Sequence, residues 1–146
     1  SEMCIRDRLW GVAGGIVASV AGVAYIELAA SMDLLPVARL GRQGRDYTTL
    51  VWLAGLAVLA APLFEEFIFR GLIFGGLRRS LGPGAATLAS AAIFAIIHPP
   101  LAVVPVFFLA VCAALIYERT RMLIAPMVVH ALYNAAVLGF QWIAMR

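Results

Sequence analysis

Long apolar runs, separated by short polar clusters, make up most of this chain. A helix needs about 20 apolar residues to cross the roughly 30 Å hydrocarbon core of a bilayer at 1.5 Å per residue. Five apolar runs are present, and the third, at residues 85–98, is short for a full span and is expected to be tilted or only partly inserted. The pattern predicts an all-α, polytopic transmembrane helical bundle with about five membrane segments. The predicted segments are residues 9–30, 48–77, 85–98, 101–117 and 123–144.

Proline and glycine predict where these segments bend or end. Pro62 lies inside the long second segment and should kink or divide it, because proline removes a helical donor and clashes with the preceding turn. A Gly-Pro-Gly turn at residues 82–84 separates the second segment from the third, and two prolines at residues 99–100 end the third. Pro126 lies in the first turn of the fifth segment, where proline is tolerated.

The composition agrees with a membrane environment. Apolar residues make up 64% of the 146 residues and charged residues only 13%, whereas soluble domains are about a quarter charged. The 11 basic residues are all arginine, the net charge is +3, and the arginines flank apolar runs instead of forming a stripe. This distribution is typical of membrane-helix flanks and argues against a nucleic-acid partner.

Three regions are expected along the chain. Residues 1–8 resemble translated sequencing-adapter sequence, and we expect them to be non-native. The natural protein would then begin further upstream, and this chain would be an N-terminally truncated fragment. Residues 9–47 form a leading transmembrane helix and a polar loop, and residues 48–146 form the membrane core.

Several polar side chains fall inside or at the ends of the apolar segments. Placing a charge at the centre of a membrane helix costs about 2.5–3.5 kcal/mol on insertion scales, so such residues usually face an internal, wetted cavity and serve function. These residues are Glu65, Glu66, Arg70, His98, His130 and Asn134.

Their spacing groups them into pairs. Glu66 and Arg70 are four residues apart, so they share a helix face and can pair. Glu65 is rotated by about 100° from Glu66 and should point elsewhere, which leaves its carboxylate free for chemistry. His130 and Asn134 are also four apart, and both can donate hydrogen bonds. A carboxylate and an imidazole around one water would form a general base, and a second histidine with an asparagine could stabilise an oxyanion.

Three short motifs resemble those of a known family of membrane proteases. Residues 65–70 match an EExxxR motif, residues 94–98 match FxxxH, and residues 130–134 match HxxxN. In this order, each within an apolar helix, they resemble the CPBP family, which includes Rce1-like CAAX proteases and bacteriocin-processing and self-immunity (Abi) proteins. The resemblance covers residues 48–141.

The resemblance implies a multi-pass protein of the bacterial plasma membrane and a glutamic intramembrane endopeptidase that needs no cofactor. Its substrates would be peptides or lipidated proteins, either prenylated CAAX-type or bacteriocin-type, in contact with the lipid bilayer. Glu65 and His98 would activate the hydrolytic water, and His130 and Asn134 would form the oxyanion site.

Three further residues are implied to support the site, namely Glu66, Arg70 and Phe94. We also expect a Glu65 carboxylate oxygen and a His98 ring nitrogen to touch or to lie one water apart, within about 6 Å.

Other functions fit the same side chains. A zinc site on Glu65, His98 and His130 would make the protein a metalloendopeptidase, although the HExxH motif is absent. The polar groups could instead join helices in a non-catalytic immunity or scaffold protein. A proton or solute transporter would also use intramembrane glutamate and histidine.

Overall fold

A computed structural model describes residues 2–32, 34 and 47–144 of the chain, and every regular element in these ranges is helical. The predicted polar loop within residues 31–47 lies almost wholly outside them. The elements are α1 (Glu2–Ser31), α2 (Tyr47–Gly55), a first π-helical stretch (Leu56–Ala60), α3 (Ala61–Glu66), a second π-helical stretch (Phe67–Phe74), α4 (Gly75–Ile96), a 3₁₀ turn (Pro100–Ala102), α5 (Val103–Thr120) and α6 (Ile124–Ala144).

Four helical stretches among the described residues are long and apolar enough to cross a membrane, one fewer than predicted. The stretches are Ile5–Ser31, Tyr47–Ile96, Pro100–Thr120 and Ile124–Ile143. The all-α, multi-pass architecture is confirmed, and the difference in count comes from the second stretch. Its 50 residues join the second and third predicted segments. Residues 2–8 belong to α1, and their origin stays a prediction.

The 50-residue stretch folds back on itself at Gly82. This glycine has φ 76° and ψ 171°, a conformation that side chains with a Cβ rarely adopt, and Pro83 follows it without a backbone N–H. The predicted Gly-Pro-Gly turn is therefore present, inside α4. On either side of it the chain runs antiparallel, since Phe69 packs against Phe94 and Phe74 against Ala86.

Pro62 does not divide its helix. The backbone stays right-handed at Ala60 and Ala61, and Pro62 lies buried near the start of α3. The preceding turn instead widens to π geometry, in which Ala61 N–H donates to Leu56 O, five residues back. Such π turns are a recognised way to place an irregularity within a continuous helix. The predicted division of the helix is therefore absent, and the irregularity before Pro62 is a π turn.

Small residues fill the contacts between helices. Alanines 86, 91, 110, 113, 114 and 125 are all fully buried. Other large apolar side chains of the second stretch point outward, with Trp52 and Phe64 each 70% exposed. In a membrane bundle small residues let helix backbones approach while large apolar side chains face lipid. The molecule is a multi-pass integral membrane protein of this kind.

Helix α1 packs closely along α6 through glycines. A Cβ at Gly11 would lie 2.9 Å from Ala125 O, and one at Gly15 would lie 2.7 Å from Leu132 Cδ1. A Cβ at Gly22 would collide with the Tyr133 ring. Helix α6 carries the third motif, so α1 packs directly against the helix on which that motif lies.

Helices α4 and α5 are tied together near their polar ends. Glu118 accepts hydrogen bonds from Arg78 Nε at 2.6 Å and Nη2 at 2.8 Å, and from Arg121 Nη2 at 2.6 Å. Bidentate pairs of this type are among the stronger ionic contacts, although solvent exposure weakens them. They fix the end of the bundle that lies beside the Gly82 turn.

Candidate active site

The first motif contains a fully buried ion pair. Glu66 ends α3 and Arg70 lies one turn later in the second π-helical stretch, with Arg70 Nε 2.9 Å from Glu66 Oε2 and both side chains 0% exposed. The guanidinium nitrogens form no hydrogen bond of acceptable geometry with any described residue. Electrostatic attraction between the two charges, and not an aligned hydrogen bond, therefore holds the pair together. The pairing predicted from the four-residue spacing is present.

His130 of α6 lies between the two glutamates of the first motif. Its Nδ1 is 3.0 Å from Glu66 Oε1, and its Nε2 is 3.7 Å from Glu65 Oε2. A carboxylate paired with a guanidinium is an acceptor only, so His130 Nδ1 donates to Glu66. Glu66 therefore fixes the orientation of the imidazole, and Nε2 faces Glu65.

This arrangement adds a contact that the spacing does not predict. Glu65 is expected to point away from the face shared by Glu66 and Arg70, and both glutamates also contact the same imidazole. An offset of about 100° around the helix axis separates the two carboxylates, but the two ring nitrogens are also on different sides of the ring. His130 can thus bridge neighbouring glutamates that do not share a helix face.

One carboxylate oxygen of Glu65, at the centre of the cluster, accepts no hydrogen bond from any described residue. The Glu65 side chain is 33% exposed, but this oxygen, Oε2, is itself buried. The 3.7 Å separation from His130 Nε2 is too long for a hydrogen bond. One oxygen of Glu65 is therefore free to accept a proton from a group that enters the site.

His98 lies at the end of α4 and is held by its own helix. Its Nδ1 is 2.8 Å from Phe94 O, and because a carbonyl only accepts, Nδ1 carries the proton and Nε2 is free. Among the described residues, Glu65 and His98 share no ion pair or hydrogen bond, so they do not touch directly. The water-separated form of the expected Glu65–His98 partnership stays a prediction.

The Phe94 ring connects the separate parts of the cluster. Its centroid is 4.8 Å from that of His98 and 5.7 Å from that of His130. The Arg70 guanidinium lies 5.4 Å from the same centroid, a cation–π distance. Phe94 is 0% exposed, so it keeps both imidazoles and the buried guanidinium at fixed separations.

Asn134 is anchored beside this cluster. Its Nδ2 donates to Ala57 O of the first π-helical stretch at 2.7 Å. Asn134 lies one turn beyond His130 on α6, so this bond joins α6 to the helix that carries the glutamates. The structure therefore gathers Glu65, Glu66, Arg70, Phe94, His98 and His130 in one cluster and attaches Asn134 at its edge.

The sequence of residues 47–136 matches the family described as type II CAAX prenyl endopeptidase, Rce1-like. All three motifs fall within this range. The chain belongs to the Rce1-like family.

Two curated relatives support the assignment to the Rce1-like family. The membrane-embedded CAAX protease MroQ of Staphylococcus aureus (strain USA300) is 36% identical over 90 residues, covering 57% of this chain and 36% of that protein. The putative membrane peptidase YdiL of Bacillus subtilis (strain 168) is 32% identical over 84 residues, covering 57% of this chain and 34% of that protein. The chain thus spans about a third of the length of these relatives. No solved structure matches it significantly.

The zinc alternative for this Rce1-like site finds little geometric support. Across the described residues, no three His, Cys, Asp or Glu side chains lie close enough together to hold a metal ion. The expected ligands do not converge, since Glu65 contacts His130 but not His98. Zinc ligands would need to lie within about 2.0–2.3 Å of one common point.

Sequence reasoning missed one contributor to the Rce1-like site, the Ala57 carbonyl. A backbone acceptor carries no residue-type signal, so no motif marks it. The available signal was Pro62, because a proline inside a helix leaves an upstream carbonyl without its donor.

Proposed function

We propose that this chain forms the catalytic part of an intramembrane endopeptidase that hydrolyses peptide bonds of membrane-associated substrates with an activated water. Membership of the Rce1-like family supports peptidase activity, and the site geometry supports the mechanism. The observation that carries it is Glu65 Oε2, a buried acceptor that no described residue hydrogen-bonds, beside two imidazoles that neighbouring groups hold in place.

In the proposed reaction Glu65 accepts a proton from a water, with the free Nε2 of His98 as the second acceptor around that water. The resulting hydroxide attacks the peptide carbonyl carbon, and the carbonyl oxygen gains the negative charge. Asn134 donates to that oxygen, and His130 donates from Nε2 when both of its ring nitrogens are protonated, because Nδ1 already donates to Glu66. The C–N bond then breaks, and the proton held by Glu65 moves to the leaving amine.

Glu66, Arg70 and Phe94 act through other residues. Glu66 holds His130 through Nδ1, Arg70 supplies the buried positive charge that balances Glu66, and Phe94 packs against both histidines. Preorganised donors of this type are effective because they need not reorient during the reaction.

The proposed substrates reach the site from the membrane. Glu65 is partly exposed, and the residues around it on the same helix turn apolar side chains outward, with Leu63 51%, Phe64 70% and Phe67 52% exposed. A lipidated or membrane-inserted peptide can approach along this surface without crossing a polar rim. Prenylated CAAX-type and bacteriocin-type peptides both fit this description.

Comparison of peptide termini in membranes tests the activity. Cells that express the chain are compared with cells that express Glu65→Gln, which keeps the shape of the side chain but removes the base. We expect new peptide termini with the unchanged protein and none with the variant. Glu27→Gln, on the exposed face of α1, is the matched control and should leave the termini unchanged.

The same comparison separates the enzyme from a scaffold or immunity protein. Identical termini in all three samples, with equal amounts of folded protein, would reject the proposed protease. A transporter would instead show Glu65-dependent proton uptake in liposomes without any change in peptide termini.

Metal dependence is tested on the purified protein. The proposed mechanism predicts that a chelator leaves cleavage of a membrane peptide unchanged and that elemental analysis finds less than one zinc per chain. Stoichiometric zinc that is lost together with activity in Glu65→Gln and His130→Ala would replace the metal-free mechanism.

A further inference from the structure

The Ala57 carbonyl lacks the backbone donors that a helix normally supplies. In an α-helix it would accept from Ala61 N–H, but that N–H donates to Leu56 O. In a π-helix it would accept from the residue five positions later, which is Pro62 and has no N–H. The π turn and the proline together therefore leave this carbonyl without a donor from its own helix.

Asn134 supplies the missing donor from another helix. Its Nδ2 lies 2.7 Å from Ala57 O, and α6 packs against both the first π-helical stretch and α3. A carbonyl inside a membrane protein must find a partner within the protein, because lipid offers none. The bond therefore has a specific cause in Pro62.

We propose that Pro62 is a positioning residue for this site, because it frees the Ala57 carbonyl that holds the Asn134 amide. Pro62 precedes Glu65 by three residues, and Asn134 follows His130 by four. One hydrogen bond thus sets how α6 lies against the turn that carries the glutamates. In this sense the proposal rests on the proposed protease site, although the bond itself can be tested without any cleavage assay.

The bond also limits what Asn134 can offer a substrate. A side-chain amide has two N–H groups, and one of them is used by Ala57 O. A single N–H is left for an oxyanion. Because the Ala57 carbonyl fixes the plane of the amide, the direction of that second N–H is also fixed.

Solid-state NMR of the whole chain in lipid bilayers tests the bond directly. Asn134 is the only asparagine, so side-chain ¹⁵N labelling gives one amide signal. With ¹³C at alanine carbonyls, a hydrogen bond to Ala57 O places that carbon about 4 Å from the nitrogen and causes strong dephasing. Ala57→Gly removes the label but keeps the carbonyl, and it identifies the contribution of Ala57.

Pro62→Val tests the cause of the bond, since valine restores a backbone N–H at similar volume. We expect the Ala57-dependent dephasing to disappear, while it persists in Pro105→Val. Pro105 is a matched control because it is a buried proline in the first turn of α5, where its missing N–H frees no interior carbonyl. Pro62→Leu serves the same purpose if Pro62→Val does not fold.

A double-mutant cycle of folding in bicelles gives a second readout. Asn134→Ala should lower the folding equilibrium constant about tenfold, because it leaves the Ala57 carbonyl unpaired. The same change in a Pro62→Val background should lower it less than about threefold, since the new N–H serves that carbonyl.

Two results would overturn the proposal. One is the absence of Ala57-dependent dephasing in the unchanged protein. The other is dephasing that persists in Pro62→Val together with equal effects of Asn134→Ala in both backgrounds. Neither readout uses proteolysis, so failure of the proposed protease activity would be seen separately.

Discussion

At the scale of single residues, the two neighbouring glutamates have different environments and therefore different roles. Glu66 is fully buried between Arg70 and His130, whereas Glu65 is partly exposed and has a carboxylate oxygen that accepts from none of the residues described by the structure. A fully buried charge needs its partner, because the desolvation of each ion is offset only by the other. In the proposed mechanism Glu66 is thus a structural support of the site, and Glu65 is the group available for chemistry.

This difference predicts that two matched substitutions have different effects on stability and on cleavage. Glu66→Gln should lower the free energy of unfolding by about 3–5 kcal/mol, because it leaves the Arg70 charge buried and unpaired. Glu65→Gln should change it by less than about 1 kcal/mol and should still abolish cleavage. Unfolding of both variants in bicelles, beside the peptide-terminus comparison, measures the two effects. Equal destabilisation by the two variants would contradict the assigned roles.

Sequence spacing predicted some of these contacts and missed others. The Glu66–Arg70 pair follows from helix geometry within one element, so four-residue spacing was sufficient. The contact of Glu65 with His130 depends on the distance between α6 and α3. The residue spacing within either helix does not determine that distance. The Asn134–Ala57 bond was also missed, because its acceptor is a backbone atom on another helix.

At the scale of the elements, one glycine organises the longest helical stretch. Gly82 adopts a backbone conformation that is almost restricted to glycine, and no atom of a described residue lies within 4 Å of where its Cβ would be. A side chain there would be strained by its backbone alone and not by crowding. The antiparallel packing of Phe69 on Phe94 depends on this reversal.

We therefore expect Gly82→Ala to lower the free energy of unfolding by about 1–3 kcal/mol through backbone strain. Gly84→Ala is the matched control, since Gly84 has a negative φ and open space around it. It should be neutral or stabilise by up to about 1 kcal/mol, because alanine favours helix. Thermal or SDS unfolding of both variants distinguishes these outcomes, and similar stability of the two would reject the strain.

The element boundaries were predictable where residue type forces the backbone. The Gly-Pro-Gly turn was located correctly because proline and glycine restrict the chain locally. The π turn before Pro62 was not predicted, since a kink, a break and a π turn are all compatible with the loss of one backbone donor. Packing against α6 selects among them, and packing is not encoded in one segment.

At the scale of the whole molecule, α1 supports the site indirectly, through its packing against α6. Gly11, Gly15 and Gly22 face α6 at separations that leave no room for a Cβ. Tyr133, which Gly22 contacts, is buried and directly precedes Asn134. A shift of α1 would therefore reach the third motif through Tyr133.

Gly22→Ala should consequently destabilise the bundle by about 1–3 kcal/mol, because the added methyl group meets the Tyr133 ring in a packed interior. Gly139→Ala on α6 is the matched control, as its Cβ would meet no atom within 4 Å in the part of the chain that the structure describes. Unfolding in bicelles measures stability, and the rate of membrane-peptide cleavage measures the effect on the site. The idea fails if Gly22→Ala behaves like Gly139→Ala in both assays.

The global architecture was predictable because a bilayer leaves few choices. Every backbone polar group must be satisfied inside the protein, so long apolar runs become helices. The number of crossing stretches and the packing of α1 were not predictable, because apolar runs carry no information about which helices touch. That information lies in three-dimensional complementarity, such as glycine opposite a ring.

The reversal at Gly82 also bears on the order in which the molecule assembles. The first two motifs lie on one short hairpin, so their meeting closes a small loop and should be early and fast. The third motif arrives only with α6. Until then Glu66 can pair with Arg70 but not with His130. A nascent chain would thus carry the ion pair first, and the proposed site would be complete only once α6 has docked.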